Sequence, residues 1–201
     1  NVAFGTIAAI SESTLQFGLL YTGSDDGLIH VSKDGGATWN KISGNLPQNR
    51  WVSRVVASAH KKERVYATLN GYRNDDFTSY VFMSDDFGQT WKNIATNLPS
   101  SPVNVIVEDN VNENVLYLGK DNGLYVSLNK GTSWDDFSNG IPNVAVHDLV
   151  IQKVAKDLVV GIYGRSIYKV NLEEVQQLNN KVVTENLHVF ALKKIKKARE
   201  W

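Results

Sequence analysis

Residues 71–78, Gly-Tyr-Arg-Asn-Asp-Asp-Phe-Thr, bring an aromatic ring, a guanidinium and two carboxylates together within five positions. That set points to two kinds of chemistry. In the first, Asp75 or Asp76 supplies one acid of a glycosidase pair, which needs two carboxyl groups roughly 5 to 10 Å apart across the scissile bond. Adjacent side chains diverge, so the second acid must come from elsewhere in the chain. In the second, Tyr72, Arg73, Asp75 and Asp76 form a polar ligand-binding loop. A plainer alternative is an internal Arg73–Asp75 or Arg73–Asp76 ion pair that only stiffens the loop. Arg54, His147 and Arg165 extend the candidate ligand-binding set. A cationic Arg and a titratable His suit an anionic or sugar ligand, although each could equally pair with a carboxylate such as Asp148. Aligning the repeats described below by their tyrosines puts Arg54 and His147 at equivalent places.

Other chemistries lack their residues. There is no Gly-x-x-x-x-Gly-Lys phosphate loop, no Gly-x-Ser-x-Gly and no His-Glu-x-x-His. The four histidines, His30, His60, His147 and His188, are far apart in sequence. The chain has no cysteine, which removes disulfides and thiolate metal ligands. The acid pairs Asp25–Asp26 and Asp85–Asp86 sit at turn signals, where capping is a cheaper explanation than calcium. No metal and no cofactor is expected. The 21 basic and 21 acidic residues cancel, which argues against nucleic acid as the main partner. No apolar run reaches the ~18 residues needed to span a bilayer.

The elements that position the loop are set by a repeat. Ser32, Asp34, Gly36, Thr38 and Trp39 form the pattern Ser-x-Asp-x-Gly-x-Thr-Trp. It returns at Ser84, Asp86, Gly88, Thr90 and Trp91, and in weaker form at Ser127, Asn129, Gly131, Ser133 and Trp134. The tryptophans are 52 and 43 residues apart, a spacing typical of repeated supersecondary units. The Ser and Asp side chains can bond the backbone of a tight turn. Gly supplies a positive φ, and the Trp is expected to open a strand and bury its ring.

Around each corner the pattern reads as four short strands: 6–10, 19–23, 28–32 and 39–42 in the first unit; 51–58, 64–69, 80–84 and 91–94 in the second; 103–108, 115–119, 124–127 and 134–137 in the third. Asp26-Gly27 and Asn122-Gly123 are two-residue hairpin turns. A Leu-Pro or Ile-Pro pair at 46–47, 98–99 and 141–142 marks each crossing to the next unit. The fourth unit, with strands at 146–152, 158–162 and 166–171, lacks the motif. A short helix is expected at 172–178, a missing outer strand at 187–192 and a basic tail at 193–201. The tail reads as solvated or as an anionic docking site. The interval from the central Tyr to the motif Ser is 11 residues for Tyr21 to Ser32, 10 for Tyr117 to Ser127 and 18 for Tyr66 to Ser84. The excess is the 71–78 segment, an insertion expected to form a loop on one face, where ligand sites concentrate.

The motif resembles the Asp-box, or BNR repeat, of bacterial sialidases, sortilin-type receptors and xyloglucan-hydrolase-type propellers. Five segments extend the resemblance over nearly the whole chain: Trp-Val-Ser-Arg-Val at 51–55, Gly-Tyr-Arg-Asn-Asp-Asp-Phe at 71–77, Pro-Val-Asn-Val-Ile at 102–106, Val-His-Asp-Leu-Val at 146–150 and Tyr-Gly-Arg-Ser-Ile-Tyr at 163–168. They are similar to the C-terminal half of large secreted bacterial BNR-repeat, glycosyl-hydrolase-like or sortilin-N-terminal-type proteins. The resemblance implies an all-β propeller of four-stranded blades, about four of them, in a larger ring. The blades span about 4–47, 48–99, 100–142 and 143–192. The remaining blades would come from the same protein or a second copy.

The resemblance also implies a secreted, periplasmic or cell-surface location. The leading expectation is a noncatalytic scaffold or binding module for protein or glycan. The alternatives are a glycoside hydrolase and a subunit of an envelope assembly. A sialidase would need three arginines around the substrate carboxylate. Arg54, Arg73 and Arg165 give the number, but the Arg-Ile-Pro segment of sialidases is absent.

Overall fold

A computed structural model of the 201-residue chain describes residues 4–164, 166–178, 182 and 184–190. The strands fall into four antiparallel sheets, each ordered as in the chain. The first contains β1 (Ile7–Glu12), β2 (Leu20–Ser24), β3 (Ile29–Ser32) and β4 (Asn40–Lys41). The second contains β5 (Trp51–Ala57), β6 (Val65–Gly71), β7 (Asp76–Ser84) and β8 (Lys92–Asn93). The third contains β9 (Val103–Glu108), β10 (Leu116–Lys120), β11 (Gly123–Ser127) and β12 (Asp135–Asp136). The fourth contains β13 (Val146–Gln152), β14 (Asp157–Ile162) and β15 (Ile167–Asn171). These are blades of an open, partial β-propeller. The three outer strands are two residues long and exposed. Such short edges offer little template for pairing with another chain.

The corners between third and outer strands follow from local hydrogen bonding. In the first, the Gly36 N–H donates to Ser32 Oγ at 2.8 Å, and Ser32 Oγ donates to Asp34 at 2.8 Å. Thr38 donates to Asp34 through its backbone N–H (2.9 Å) and its hydroxyl (2.6 Å). The second corner repeats every one of these bonds with Ser84, Asp86, Gly88 and Thr90. In the third, Asn129 and Ser133 stand in for the acid and the Thr, and the same atoms are joined at 2.8 to 3.0 Å. The donors from Thr38 and Ser32 hold the Asp34 carboxyl down at a pKa of about 2.

The core is not inside any one sheet. Three apolar clusters lie between successive blades: one between the first and second, one between the second and third, one between the third and fourth. Central strands β6 and β10 are buried along their whole length, including the polar Thr68, Asn70 and Lys120. The corners reach across these interfaces. Trp91 donates its indole N–H to the Ile42 carbonyl at 2.7 Å, and Trp134 to the Ile94 carbonyl at 2.6 Å. The same isoleucines lie against the corner glycines. A Cβ on Gly88 would come within 2.3 Å of Ile42 Cδ1, and one on Gly131 within 2.7 Å of Ile94 Cδ1.

Each inner strand carries a bulge at the same place. Register shifts fall between Ile7 and Ala9, Val52 and Arg54, Val103 and Val105, and Val146 and Asp148. The extra residues are therefore Ala8, Ser53, Asn104 and His147. Two of them tie their blade to the next. Ser53 Oγ donates to the Val103 carbonyl at 2.8 Å, and Asn104 Nδ2 to the Val146 carbonyl at 3.2 Å.

Several expectations are corrected. Trp39 does not bury its ring: it is 40% exposed, against 3% for Trp134. Its N–H turns back to the Gly36 carbonyl of its own corner, and no other blade of the described residues packs against that face. The outer strand expected at 187–192 is not formed by residues 187–190, which pair with no sheet, and residues 191–192 lie outside the described set. The expected helix at 172–178 is reduced to a 3-10 turn at Val175–Gln177, anchored by buried Leu172. The basic tail at 193–201 lies outside the described residues.

Candidate functional site

In a sheet that runs antiparallel in chain order, the start of the first strand and the turn between the second and third lie at one end. All four blades therefore present the same end of their sheets to one ring face. The β6–β7 turn there is not a floppy insertion. Both strands extend into it, Tyr72–Asn74 form a 3-10 turn, and Asp75 takes a left-handed conformation that Asp tolerates (φ 54°). The Tyr72 N–H caps onto Asn70 Oδ1 at 2.9 Å. Tyr72 and Phe77 meet edge to face, 6.1 Å between centroids.

The two carboxylates separate in fate. Asp75 is exposed at the tip. Asp76 sits at the start of β7 and is held by Arg50 Nε at 2.8 Å, Tyr80 OH at 2.8 Å and the Thr78 N–H at 3.0 Å. Partial burial alone would raise its pKa. Those donors outweigh it, Arg50 foremost, and hold the carboxyl far below the usual range. The expected Arg73–Asp75 and Arg73–Asp76 pairs are not what locks the loop; Arg50, from the preceding crossing, does. Arg73 instead lies over the Trp51 ring, 5.3 Å from its centroid.

The inner strands also need a correction. The β13–β14 connection is one residue shorter than the β5–β6 connection, so Arg54 is equivalent to Asp148, and His147 to Ser53 and Asn104. Arg54 and Asp148 face one another and form an ion pair at 2.7 Å, joining the second and fourth blades. Arg54 is thereby turned away from the free-cation role. His147 is exposed and its ring meets Tyr163 at 5.6 Å. Arg165 lies outside the described residues.

Two cavities open side by side on this face. One, of about 540 Å³, is lined by Trp51, Asn70, Tyr72, Arg73, Asn104, Asp121, Ala145, His147 and Tyr163. The other, of about 620 Å³, is lined by Phe4, Asp25, Asn49, Trp51, Asn70, Arg73 and Asn74. Trp51, Asn70 and Arg73 belong to both, so the pair forms a groove across the blades. Its floor is a relay of amides: Asn70 Nδ2 donates to Asn104 at 2.9 Å, and Asn104 Nδ2 to Asp121 at 2.8 Å. Beneath it, the Lys120 side chain is buried and donates to the Pro99 carbonyl, with its ammonium 4.9 Å from the Tyr125 ring. Burial lowers its pKa to about 8.

The structure thus gathers Tyr72, Arg73 and His147 from the expected set. It leaves Asp75 at the tip and engages Arg54 and Asp76 in ion pairs. Sequence reasoning missed Trp51, Asn70, Asn104, Asp121 and Tyr163. The only available signal was position: each lies at a strand end or bulge on the same side of its repeat. Among the described residues, no group of three or more His, Asp or Glu side chains is arranged to hold a metal ion.

Comparison with solved structures places these blades among propellers. The chain is similar to the GH74 xyloglucanase of Xanthomonas campestris (16% identity, TM-score 0.65), matching 84% of this chain and 29% of that one. It is similar to the GH74 enzyme of Niastella koreensis (15% identity, TM-score 0.66; 82% and 28% covered). It also resembles YCF48 solved with a D1 peptide (14% identity, TM-score 0.55; 85% and 56% covered). The chain therefore spans under a third of the GH74 enzymes and just over half of YCF48, and at these identities the likeness is one of fold. A search of curated proteins finds no match. A family model, that of the DUF6242 beta propeller domain, matches residues 5–163. The chain belongs to the DUF6242 β-propeller family.

Proposed function

We propose that this chain is the noncatalytic binding portion of a larger propeller and that its groove takes a neutral glycan. The observation that carries the reading is the groove itself. Trp51, Tyr72, His147 and Tyr163 supply ring faces around a floor of hydrogen-bonded amides. Ring faces suit the C–H faces of sugars, and amides suit their hydroxyls. The charge on the lining is balanced: Arg73 is offset by Asp121, and Asp25 is occupied by the backbone N–H groups of Gly5 and Thr6. A strongly anionic ligand would find no surplus cation there. The three corners are read as Asp-boxes in this proposal. The secreted or cell-surface bacterial setting rests on the sequence resemblance alone.

The neighbours carry both possibilities. GH74 xyloglucanases act on a glycan, and YCF48 was solved with a peptide. No observation favours a glycosidase here. Asp76 is held as a carboxylate by three donors, which unfits it as a general acid. Calorimetry with neutral hexasaccharides and with extended peptides tests the reading. A saccharide should bind, and Tyr163→Ala should weaken it about tenfold, the loss of one stacked ring. Binding of peptide alone, or saccharide binding indifferent to Tyr163 and Trp51, overturns the glycan assignment.

A further inference from the structure

We propose that Asp121 is the residue by which the groove selects its saccharide, accepting two adjacent hydroxyls of one sugar ring; the assignment rests on the glycan reading above. It comes from one position followed through the four blades. That position is Asp25, Asn70, Asp121 and Tyr163, and all four line the groove. Sheet register makes them equivalent. Gly23 pairs with Ala9, Thr68 with Arg54, Gly119 with Val105 and Gly161 with Asp148, and each of the four lies two residues further on. Backbone bonding agrees: the N–H groups of Asp25, Asp121 and Tyr163 donate to the carbonyls of Thr6, Pro102 and Ala145 at 3.0, 3.1 and 2.9 Å.

The two carboxylates at this position are used differently, and a proline is the reason. Asp25 Oδ1 accepts the N–H groups of Gly5 at 2.7 Å and Thr6 at 2.8 Å. In the third blade the residues at those places are Ser101 and Pro102. Pro102 has no N–H to give. Asp121 receives a single bond instead, from Asn104 Nδ2 to Oδ1 at 2.8 Å. Its Oδ2 has no hydrogen-bond or ion-pair partner among the described residues. The adjacent Lys120 ammonium attracts the carboxylate but donates to the Pro99 carbonyl. A carboxylate has about four acceptor sites. Asp25 has filled both on one oxygen, whereas Asp121 keeps room on each of its two. Adjacent gauche hydroxyls of a pyranose can each donate to one such oxygen, and charge-assisted bonds of this kind are the strong ones. A sugar without that pair would leave the carboxylate covered and unpaired, which is how a polar site rejects a near match.

Calorimetry on the intact protein tests this with cellohexaose, maltohexaose and mannohexaose, which carry a free vicinal diol on every ring. Laminarihexaose is the contrast, since its linkage removes that diol from the internal rings. At least one of the first three should bind about tenfold or more tightly than laminarihexaose. Asp121→Asn keeps an oxygen for the Asn104 N–H but loses the charge and one acceptor. It should weaken the preferred saccharide by about ten- to a hundredfold and erase the preference. Pro102→Ala keeps the carboxylate and offers it the backbone N–H that Thr6 gives Asp25; it should weaken the same saccharide severalfold. Two failures are distinguishable. If saccharide binds and Tyr163→Ala weakens it, but either folded variant retains wild-type affinity, the Asp121 assignment is overturned and the glycan reading stands. If none of the four saccharides binds the wild type, both fall.

Discussion

Arg50 and Asp76, 26 residues apart in sequence, are joined by an Nε–Oδ2 bond of 2.8 Å that fastens the β6–β7 hairpin to the crossing before β5. This pair decides how the most chemically suggestive stretch of the chain is read. Asp76 is committed to holding the groove in shape, and the adjacent Asp75 is left at the tip without a comparable set of donors. The proposed glycan would meet ring faces and amides in the groove beside it.

Replacing Arg50 by Ala should destabilise the chain by about 2 kcal/mol, the scale of a charge-assisted bond whose partner is left partly buried. The loss should be pH-dependent. Asp76 has a folded-state pKa well below its unfolded one, so its contribution is present above the ordinary carboxylate range and fades as pH falls below it. The difference in urea midpoint between the wild type and Arg50→Ala should therefore be constant near pH 7 and begin to narrow as pH falls through 4 toward 3. Parallel curves across that range would dissociate the pair from stability.

The two kinds of indole should respond differently to one change. Trp134→Phe removes the N–H that reaches the Ile94 carbonyl and leaves that acceptor without it, at about 1 to 2 kcal/mol. In this 201-residue chain, Trp39→Phe removes only an exposed bond within its own corner and should change the midpoint by less than about 0.5 kcal/mol. Equal effects would mean that the interblade bond is not what the Trp contributes.

A similar contrast applies to the corner glycines. Gly36 and Gly131 have φ of 94° and 79°, so a side chain at either is strained. Only Gly131 has an isoleucine side chain against it. Gly131→Ala should exceed Gly36→Ala by about 1 to 3 kcal/mol, the range for overpacking. Thermal denaturation of the two variants measures the difference directly.

Lys120 sets a dependence at the other end of the pH scale. Its folded pKa, lowered to about 8 by burial, lies below that of an unfolded lysine near 10.4. Between those values the unfolded state binds more protons, so stability should rise as pH increases from 8 toward 10. Lys120→Met, which fills similar space without a charge to desolvate, should abolish that rise and be neutral or stabilising at pH 7. A fall in stability over the same interval in the wild type would contradict the assignment.

Much of the fold was legible because its instructions are local. The Ser-x-Asp-x-Gly-x-Thr-Trp corners close their hydrogen bonds within eight residues, and strands β9 and β13 have the expected bounds. The loop at 71–77 was legible as unusual because it lengthens one interval between repeats. Its wiring was not, since Arg50 lies before β5 and nothing in spacing links it to Asp76. Arg54 and His147 were aligned as equivalents because the β13–β14 turn is one residue shorter than its counterparts and the fourth blade has Val159 where the others have the reference Tyr. The groove was hidden for a different reason. Trp51, Asn104 and Tyr163 come from three blades, and only the common direction of the sheet ends brings them to one place. Trp39 looked like its counterparts, and its exposure depends on a neighbour rather than on its own motif.

Backbone and indole shifts in a two-dimensional 1H–15N spectrum report most directly on whether the groove around Trp51 takes the proposed glycan. Titration with a neutral hexasaccharide should move the Trp51 indole N–H and the side-chain amides of Asn70 and Asn104, while the Trp91 and Trp134 indoles stay in place. Shifts confined to the corners or to the opposite ring face, with the Trp51, Asn70 and Asn104 signals unmoved at saturation, would contradict it.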